Sequence, residues 1–340
     1  MSYPKIIQDI KLDFKDVLIV PKSSSVNSRS DVDLTRTFRF KYYPKELTCI
    51  PIIASNMSTV GTISMQSELS KLKILTVLNK FIVIDDVSSK LISKDYTFLS
   101  CGVNDYEPII NSIETYGFDK ICIDIANGYI DKILETIQFF RSKYPHLLIM
   151  AGNVATDIRC SQLIKAGADI VKIGIGSGSA CLTRLKTGVG YPQLSCILDS
   201  VQTTRLHKGL IVSDGGCSSS SDVCKAFGAG ADFVMLGGML AGHVESEGDI
   251  MEVKGHKKML LYGMSSKIAQ DKFNGGMNSY RTSEGRCMLL DYRGNVSHTI
   301  QDILGGLRSY GTYIGCNKLE DFADHTTFIR VNQQLNNPYD

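Results

Sequence analysis

The chain of 340 residues is defined first by what it does not have. No apolar stretch reaches the roughly 18 residues needed to span a bilayer. The opening MSYPKIIQDIKLDF has neither a basic n-region nor an apolar h-region, so no secretion signal is expected. Charge of one sign is also missing: 37 Lys and Arg against 35 Asp and Glu leave a formal net charge of +2, with no basic run or stripe. No nucleic-acid partner and no membrane partner is therefore expected. The ten cysteines, Cys49, Cys101, Cys122, Cys160, Cys181, Cys196, Cys217, Cys224, Cys287 and Cys316, include no CxxC pair. Reduced thiols in a cytoplasmic protein are the expectation. His146, His207, His243, His256, His298 and His325 form no pairs with cysteine or each other at metal-ligand spacing, so no transition metal is expected.

What the chain does have is a rhythm. Hydrophobic residues make up 43%, enough for a large core. Eight short apolar runs end in Gly, Asn, Asp or Ser, or just short of them: 51–57, 75–79, 98–103, 121–126, 148–153, 170–176, 211–215 and 233–237. Between most of them lie residues at helical spacing, such as Ile133, Ile137 and Phe140, and the repeat is mostly 22 to 27 residues. Apolar runs without alternation suit parallel strands buried on both faces. Strand then helix, eight times over, predicts an α/β chain folded as a single (β/α)8 TIM barrel over 1–340, with residues 1–50 as an N-terminal extension covering one end. A doubly wound open sheet is the alternative.

The rhythm breaks at 177–192, after the sixth strand, and at 239–298, after the eighth. Breaks of this kind are where function sits. The second contains a predicted hairpin, strands 250–253 and 258–262 around a Gly-containing turn, and the run Asn274-Gly-Gly-Met-Asn278. It is too short for its own core and is read as an active-site cover.

The first break carries the most chemistry. Gly174, Gly176 and Gly178 alternate straight after a buried strand, so backbone N–H groups can converge on an anion or carbonyls on a cation. A dinucleotide fingerprint would need Gly where Ser179 stands. Cys181 follows in a polar loop at the C-terminal mouth, where barrels keep their reactive groups, with the loop amides and Arg184 to favour a thiolate. An inert buried thiol is the bland reading of a cysteine taken at random. Thr183 gains interest only if a carboxylate polarises it. Asp214-Gly215-Gly216 ends the seventh run and Gly237-Gly238 the eighth, together suiting a ribose diol and a phosphate; tight turns are the alternative. Asp124 ends the fourth run and either orients a ring or caps a helix.

With Gly174 to Gln193, Ser213 to Gly216, Phe233 to Gly242, Tyr262-Gly-Met-Ser-Ser266 and Ser283-Glu-Gly285 assembled, the chain resembles the IMP dehydrogenase and GMP reductase family over nearly its whole length, and its reductase branch most. No spacing leaves room for the regulatory domain pair usual in the dehydrogenase branch, and the interval from Ser265 to Glu284 is too short for that branch's water-activating flap. The resemblance implies a homotetramer that converts GMP and NADPH to IMP, ammonia and NADP in purine salvage. It implies that Cys181 forms a covalent thioimidate at C2 of the purine and that Thr183 with Glu284 protonates the departing amine.

The same resemblance places GMP against Asp214, Gly215, Gly216, Gly237, Gly238, Gly263, Met264, Ser265, Arg281 and Gly285. It places the nicotinamide cofactor near Lys80, Asp124, Ala126, Gly176, Met264, Tyr280 and Arg281. Ser28, Arg29 and Ser309, Tyr310, Gly311 and Thr312 of an adjoining subunit would hold the adenosine end, with Lys80 and Arg29 as cations for the extra phosphate of NADPH. Carbonyls of Gly176, Gly178, Cys181 and Arg184 would hold potassium. The family usually has Pro where Ser177 stands, Thr at Leu182, His at Asn79 and Asp at Ser58; Ser177 predicts a looser catalytic loop. The rivals are an IMP dehydrogenase, a nucleotide-binding barrel without catalysis, and more remotely a flavin-dependent barrel.

Overall fold

In the computed structural model, residues 5–273 and 282–332 are described. Two short strands, β1 (Val17–Ile19) and β2 (Arg36–Phe38), precede eight parallel ones: β3 (Leu47–Ala54), β4 (Ile74–Leu78), β5 (Thr97–Cys101), β6 (Lys120–Asp124), β7 (Leu148–Val154), β8 (Ile170–Ile173), β9 (Leu210–Asp214) and β10 (Phe233–Leu236). Each of the eight apolar runs is one of these. The ring closes where β10 pairs with β3, Val234 opposite Ile52 and Leu236 opposite Ala54. The fold is a (β/α)8 barrel, and an open sheet is excluded by that pairing.

The helices between strands are α1 (Ile63–Ser70), α2 (Ser88–Leu91), α3 (Glu107–Tyr116), α4 (Lys132–Lys143), α5 (Asp157–Ala166), α6 (Thr183–Thr187), α7 (Gln193–Leu206) and α8 (Ser220–Gly228). After the barrel come α9 (Lys267–Phe273), α10 (Val296–Ile314) and α11 (Phe322–His325). Ile133, Ile137 and Phe140 lie on the buried face of α4, as their spacing predicts. Two apolar clusters result from strand alternation. One fills the barrel with Ile53, Leu75, Val77, Phe98, Cys122, Met150, Val212 and Met235; the other packs strands against helices.

The N-terminal extension does close one end. β2 pairs antiparallel with the start of β3, Arg36 opposite Cys49. This brings Phe38, Tyr43 and Leu47 into the inner cluster, where the ring of Phe38 stacks on Phe233 at 4.3 Å. The bottom of the barrel is thereby plugged, which leaves the opposite mouth as the open end.

The long excursion differs in detail from the predicted hairpin. It forms a three-stranded antiparallel sheet of β11 (Ile250–Val253), β12 (His256–Tyr262) and β13 (Cys287–Asp291). The turn is the pair Lys254 and Gly255, both at positive φ, so β12 starts two residues earlier than its apolar residues suggest. A last strand, β14 (Phe328–Arg330), pairs with β1. Among the described residues no helix is long and apolar enough to cross a membrane.

Candidate active site

A cavity of about 950 Å³ occupies the open mouth, between the ends of the strands and the excursion. Lys80, Asp124, Ala126, Gly176, Gly178, Cys181, Thr183, Asp214, Gly215, Gly216, Gly237, Gly238, Gly263, Met264, Ser265, Glu284 and Gly285 all line it. Tyr280, Arg281 and the Asn274 to Asn278 run lie outside the described residues. Ser28, Arg29 and the Ser309 to Thr312 run do not line the cavity. They sit together elsewhere, the 3-10 turn Arg29–Asp31 packing on α10. The side chain of Tyr310 is committed to the interior, bonded to Thr326 and edge-on to Phe322, so its ring is not offered to a ligand.

The reactive loop is built around Arg184. Its stem lies where a Cβ on Gly176 or Gly190 would come within 2.6 Å of Cγ, so only glycine admits it at those two positions. The guanidinium donates to Asp13 Oδ2 at 3.0 Å and to the Tyr191 carbonyl at 2.6 Å. Asp13 Oδ1 accepts from the Gln193 amide at 2.6 Å, and Leu12 and Ser195 exchange two further bonds. The N-terminal segment thus straps the whole loop to the start of α7.

Cys181 is half-buried at the top of this loop. Its Sγ donates to Thr183 Oγ1 at 3.2 Å, and Thr183 Oγ1 donates to Glu284 Oε2 at 2.6 Å. The carboxylate that the sequence required for Thr183 is therefore in place. It arrives because residues 284–286 run antiparallel beside 180–182: the Leu182 amide donates to the Glu284 carbonyl at 2.6 Å and the Arg286 amide to the Ala180 carbonyl at 2.9 Å. Glycine is needed on both sides, since a Cβ on Gly263 would lie 2.9 Å from the Ala180 carbonyl and one on Gly285 2.6 Å from the Ser266 amide. Burial pushes the thiols of Cys49, Cys101 and Cys224 up to about 12, which makes them poor nucleophiles.

Asp214, Gly215 and Gly216 leave β9 with both glycines at positive φ, +87° and +85°. A Cβ on Gly215 would stand 2.7 Å from Ser177 Oγ, and one on Gly238 2.6 Å from Ser179 Oγ. These bare backbones form a cradle of the kind that admits a phosphate. Buried oxygens of two residues that line the cavity, Ser55 Oγ and Asn153 Oδ1, have no protein partner, which suits a polar ligand. Of the carbonyls implied for a cation, that of Gly178 accepts from Cys181 at 3.0 Å and that of Arg184 from Gly188 at 3.1 Å. Each keeps a second lone pair. Among the described residues there is no cluster of three His, Cys, Asp or Glu able to hold a metal.

Two of the unusual positions have explicit partners. Ser177 Oγ donates to the Asp214 carbonyl at 3.2 Å, a tie that proline could not make. Asn79 Nδ2 donates to the Gly61 carbonyl at 3.0 Å, and its Oδ1 accepts from Phe81 N. Asn79 therefore braces the turn that carries Lys80. Sequence reasoning missed Asn56, Asn153 and Lys172, all lining the cavity. The signal was available for Lys172, a lone charge inside the otherwise apolar run Ile170-Val-Lys-Ile173.

A barrel whose mouth pairs a loop cysteine with a threonine–carboxylate dyad and a glycine cradle defines the class, and the comparisons agree with it. The IMP dehydrogenase / GMP reductase domain model matches residues 97–336, and the chain belongs to that family. It is 49% identical to GMP reductase 2 of Mus musculus, across 98% of each chain. It is 48% identical to GMP reductase 2 of Homo sapiens and to GMP reductase of Photobacterium profundum, across 98% of this chain and 98% and 99% of theirs.

Proposed function

We propose that this chain is an NADPH-dependent oxidoreductase that reductively deaminates GMP to IMP and ammonia, a step of purine salvage. The observation that carries the reading is the contact series Cys181, Thr183, Glu284. A thiol that donates to a hydroxyl, which donates to a carboxylate, has a route for its proton, and the same carboxylate can return a proton to a leaving amine.

In this reading the purine of GMP lies over Cys181, the ribose on Asp214 and the phosphate on Gly215, Gly216, Gly237 and Gly238. Gly263, Met264, Ser265, Arg281 and Gly285 are further GMP ligands in this reading. Sγ of Cys181 bonds to C2 while its proton passes through Thr183 toward Glu284. The C2–N bond then breaks, the amine leaves as ammonia with a proton from the Thr183–Glu284 pair, and a thioimidate remains. Bound NADPH supplies the hydride that takes C2 to the oxidation level of IMP as the C–S bond breaks. The net reaction balances as GMP, NADPH and one proton to IMP, NADP and ammonia. Covalent attachment suits this chemistry because an amine is a poor leaving group and an amidine a poor hydride acceptor.

Lys80, Asp124, Ala126, Gly176, Met264, Tyr280 and Arg281 hold the nicotinamide half in this proposal. Ser28, Arg29 and the Ser309 to Thr312 run of a neighbouring protomer in a homotetramer hold the adenosine half, without the buried ring of Tyr310. Residues 177–192 act as the catalytic loop and 239–298 as the cover that keeps water from the intermediate. Carbonyls of Gly176, Gly178, Cys181 and Arg184 hold a potassium ion. The protein works in the cytoplasm, where its ten free thiols stay reduced.

The test follows nicotinamide absorbance with GMP, NADPH and potassium, with ammonia assayed in parallel and IMP plus NAD as the control. NADPH loss in step with ammonia is the expected result. Turnover of IMP with NAD alone would overturn the reading in favour of the water-using branch.

A further inference from the structure

Beneath the cavity lies a lysine with no part in the covalent chemistry. The side chain of Lys172, on β8, is 2% exposed. Its Nζ sits 2.5 Å from Asp124 Oδ1 at the end of β6, 3.2 Å from Asp214 Oδ2 at the end of β9, and 3.5 Å from Asn56 Oδ1 after β3. An ammonium has three donors, and three acceptors surround this one. Asn56 Nδ2 donates to Asp124 Oδ2 at 2.9 Å, so both oxygens of Asp124 are engaged. Asn153 Nδ2 donates to Asp214 Oδ2 at 2.8 Å and to the Gly174 carbonyl at 2.9 Å. Room for the lysine is made by its neighbour strand: a Cβ on Gly152 would lie 2.5 Å from Lys172 Cβ.

Burial works against the charge of Lys172, but Asp124 and Asp214 outweigh it and hold the proton on more firmly than in a free lysine. Burial likewise opposes ionisation of Asp124, and Lys172 with Asn56 and Lys80 reverses it, leaving that carboxyl below its ordinary range. A single buried cation therefore contacts two carboxylates on non-adjacent strands. Removing it would leave two like charges facing one site without their shared counter-ion.

We propose that Lys172 is a positioning residue that couples the two halves of the site, fixing Asp214 on the substrate side and Asp124 on the cofactor side through one shared ammonium. This rests on the reading of Asp214 as the ribose ligand and Asp124 as a cofactor ligand. Its distinctive consequence is cross-talk: a change at Asp124 reaches GMP through Lys172 even with no cofactor bound.

The experiment measures GMP and NADPH binding to the full chain by calorimetry, without turnover, for the parent, Lys172→Met, Asp124→Asn and the double variant. Lys172→Met weakens GMP and NADPH each by about tenfold, the order of one charge-assisted hydrogen bond. Asp124→Asn weakens NADPH, whose ligand it removes, and also weakens GMP measured without cofactor by about threefold, because the freed ammonium closes on Asp214 and competes for its oxygens. In the Lys172→Met background the same Asp124→Asn change leaves GMP affinity where it was. Unchanged affinities in a folded Lys172→Met protein overturn the proposal, as does an Asp124→Asn effect on GMP that is absent or independent of Lys172. Should Lys172→Met fail to fold, the Asp124→Asn effect on GMP decides alone: no effect overturns the proposal. A parent that binds both nucleotides but turns over neither removes the reductase reading and leaves this coupling standing. A parent that binds no GMP removes both.

Discussion

Thr183 Oγ1 donates to Glu284 Oε2 at 2.6 Å across 101 residues of chain, the contact on which the proposed acid–base role of this pair rests. Replacing Glu284 by Gln keeps the shape and removes the base. Ammonia release slows by about a hundredfold or more, the usual scale for losing a general acid–base group, while hydride transfer to a preformed intermediate slows less. Rapid-quench measurement of ammonia beside stopped-flow absorbance of NADPH separates the two steps, and equal slowing would contradict the role.

Among the described residues, Cys181→Ala removes the only cysteine that both lines the cavity and donates to Thr183. Turnover is abolished while GMP still binds, because the glycine cradle and Asp214 are untouched. Retained NADPH consumption in the purified variant would show that the thiol is not the nucleophile.

Asp13 holds the loop that carries Cys181 by two different bonds, one to the Gln193 amide and one to the Arg184 guanidinium. Asp13→Ala leaves that amide without an acceptor and destabilises the fold by about 1–3 kcal/mol. Asp13→Asn still accepts from the amide and loses only a partly exposed ion pair, about 1 kcal/mol or less. Urea unfolding of the two variants distinguishes them; equal losses would mean that the ion pair is the main tie.

His243 is fully buried, with Nδ1 3.2 Å from the Gly294 carbonyl and Nε2 3.0 Å from Thr299 Oγ1. Burial lowers its pKa below the ordinary 6.5, so the folded protein keeps it neutral where the unfolded chain takes up a proton. Stability therefore falls as pH drops below 6.5, by up to about 1.4 kcal/mol per unit, until the folded-state pKa is reached. His243→Gln flattens this slope relative to the parent between pH 7 and 5.5, read from urea midpoints. Parallel slopes would assign the pH dependence to other groups.

The barrel was legible because its strands are buried on both faces and so appear as unbroken apolar runs. The eighth-strand cover was legible only as a hairpin. β13 is short and alternates exposed with half-buried residues, and its pairing with β12 joins Cys287 to Tyr262 across the undescribed segment. The β1–β14 ribbon joins Val17 to Arg330, a contact that no local periodicity announces. At the site, the glycines and Cys181 stood out because they interrupt the rhythm. Asn153 did not, since it ends a run that reads as core; Lys172 showed as a lone charge inside such a run, but only the closed barrel brings it to Asp124 and Asn153 to Asp214.

The hydrogen bonds from residues 284–286 to 180–182 bear on divergence within the family. Glu284 is fixed from one side by residues 180–182 and from the other by β13. Neither anchor depends on how many residues separate Phe273 from Thr282. Insertions or deletions in that interval can accumulate over descent without moving the carboxylate from the threonine. The length of that interval is thus free to vary while the contact between Thr183 and Glu284 is kept.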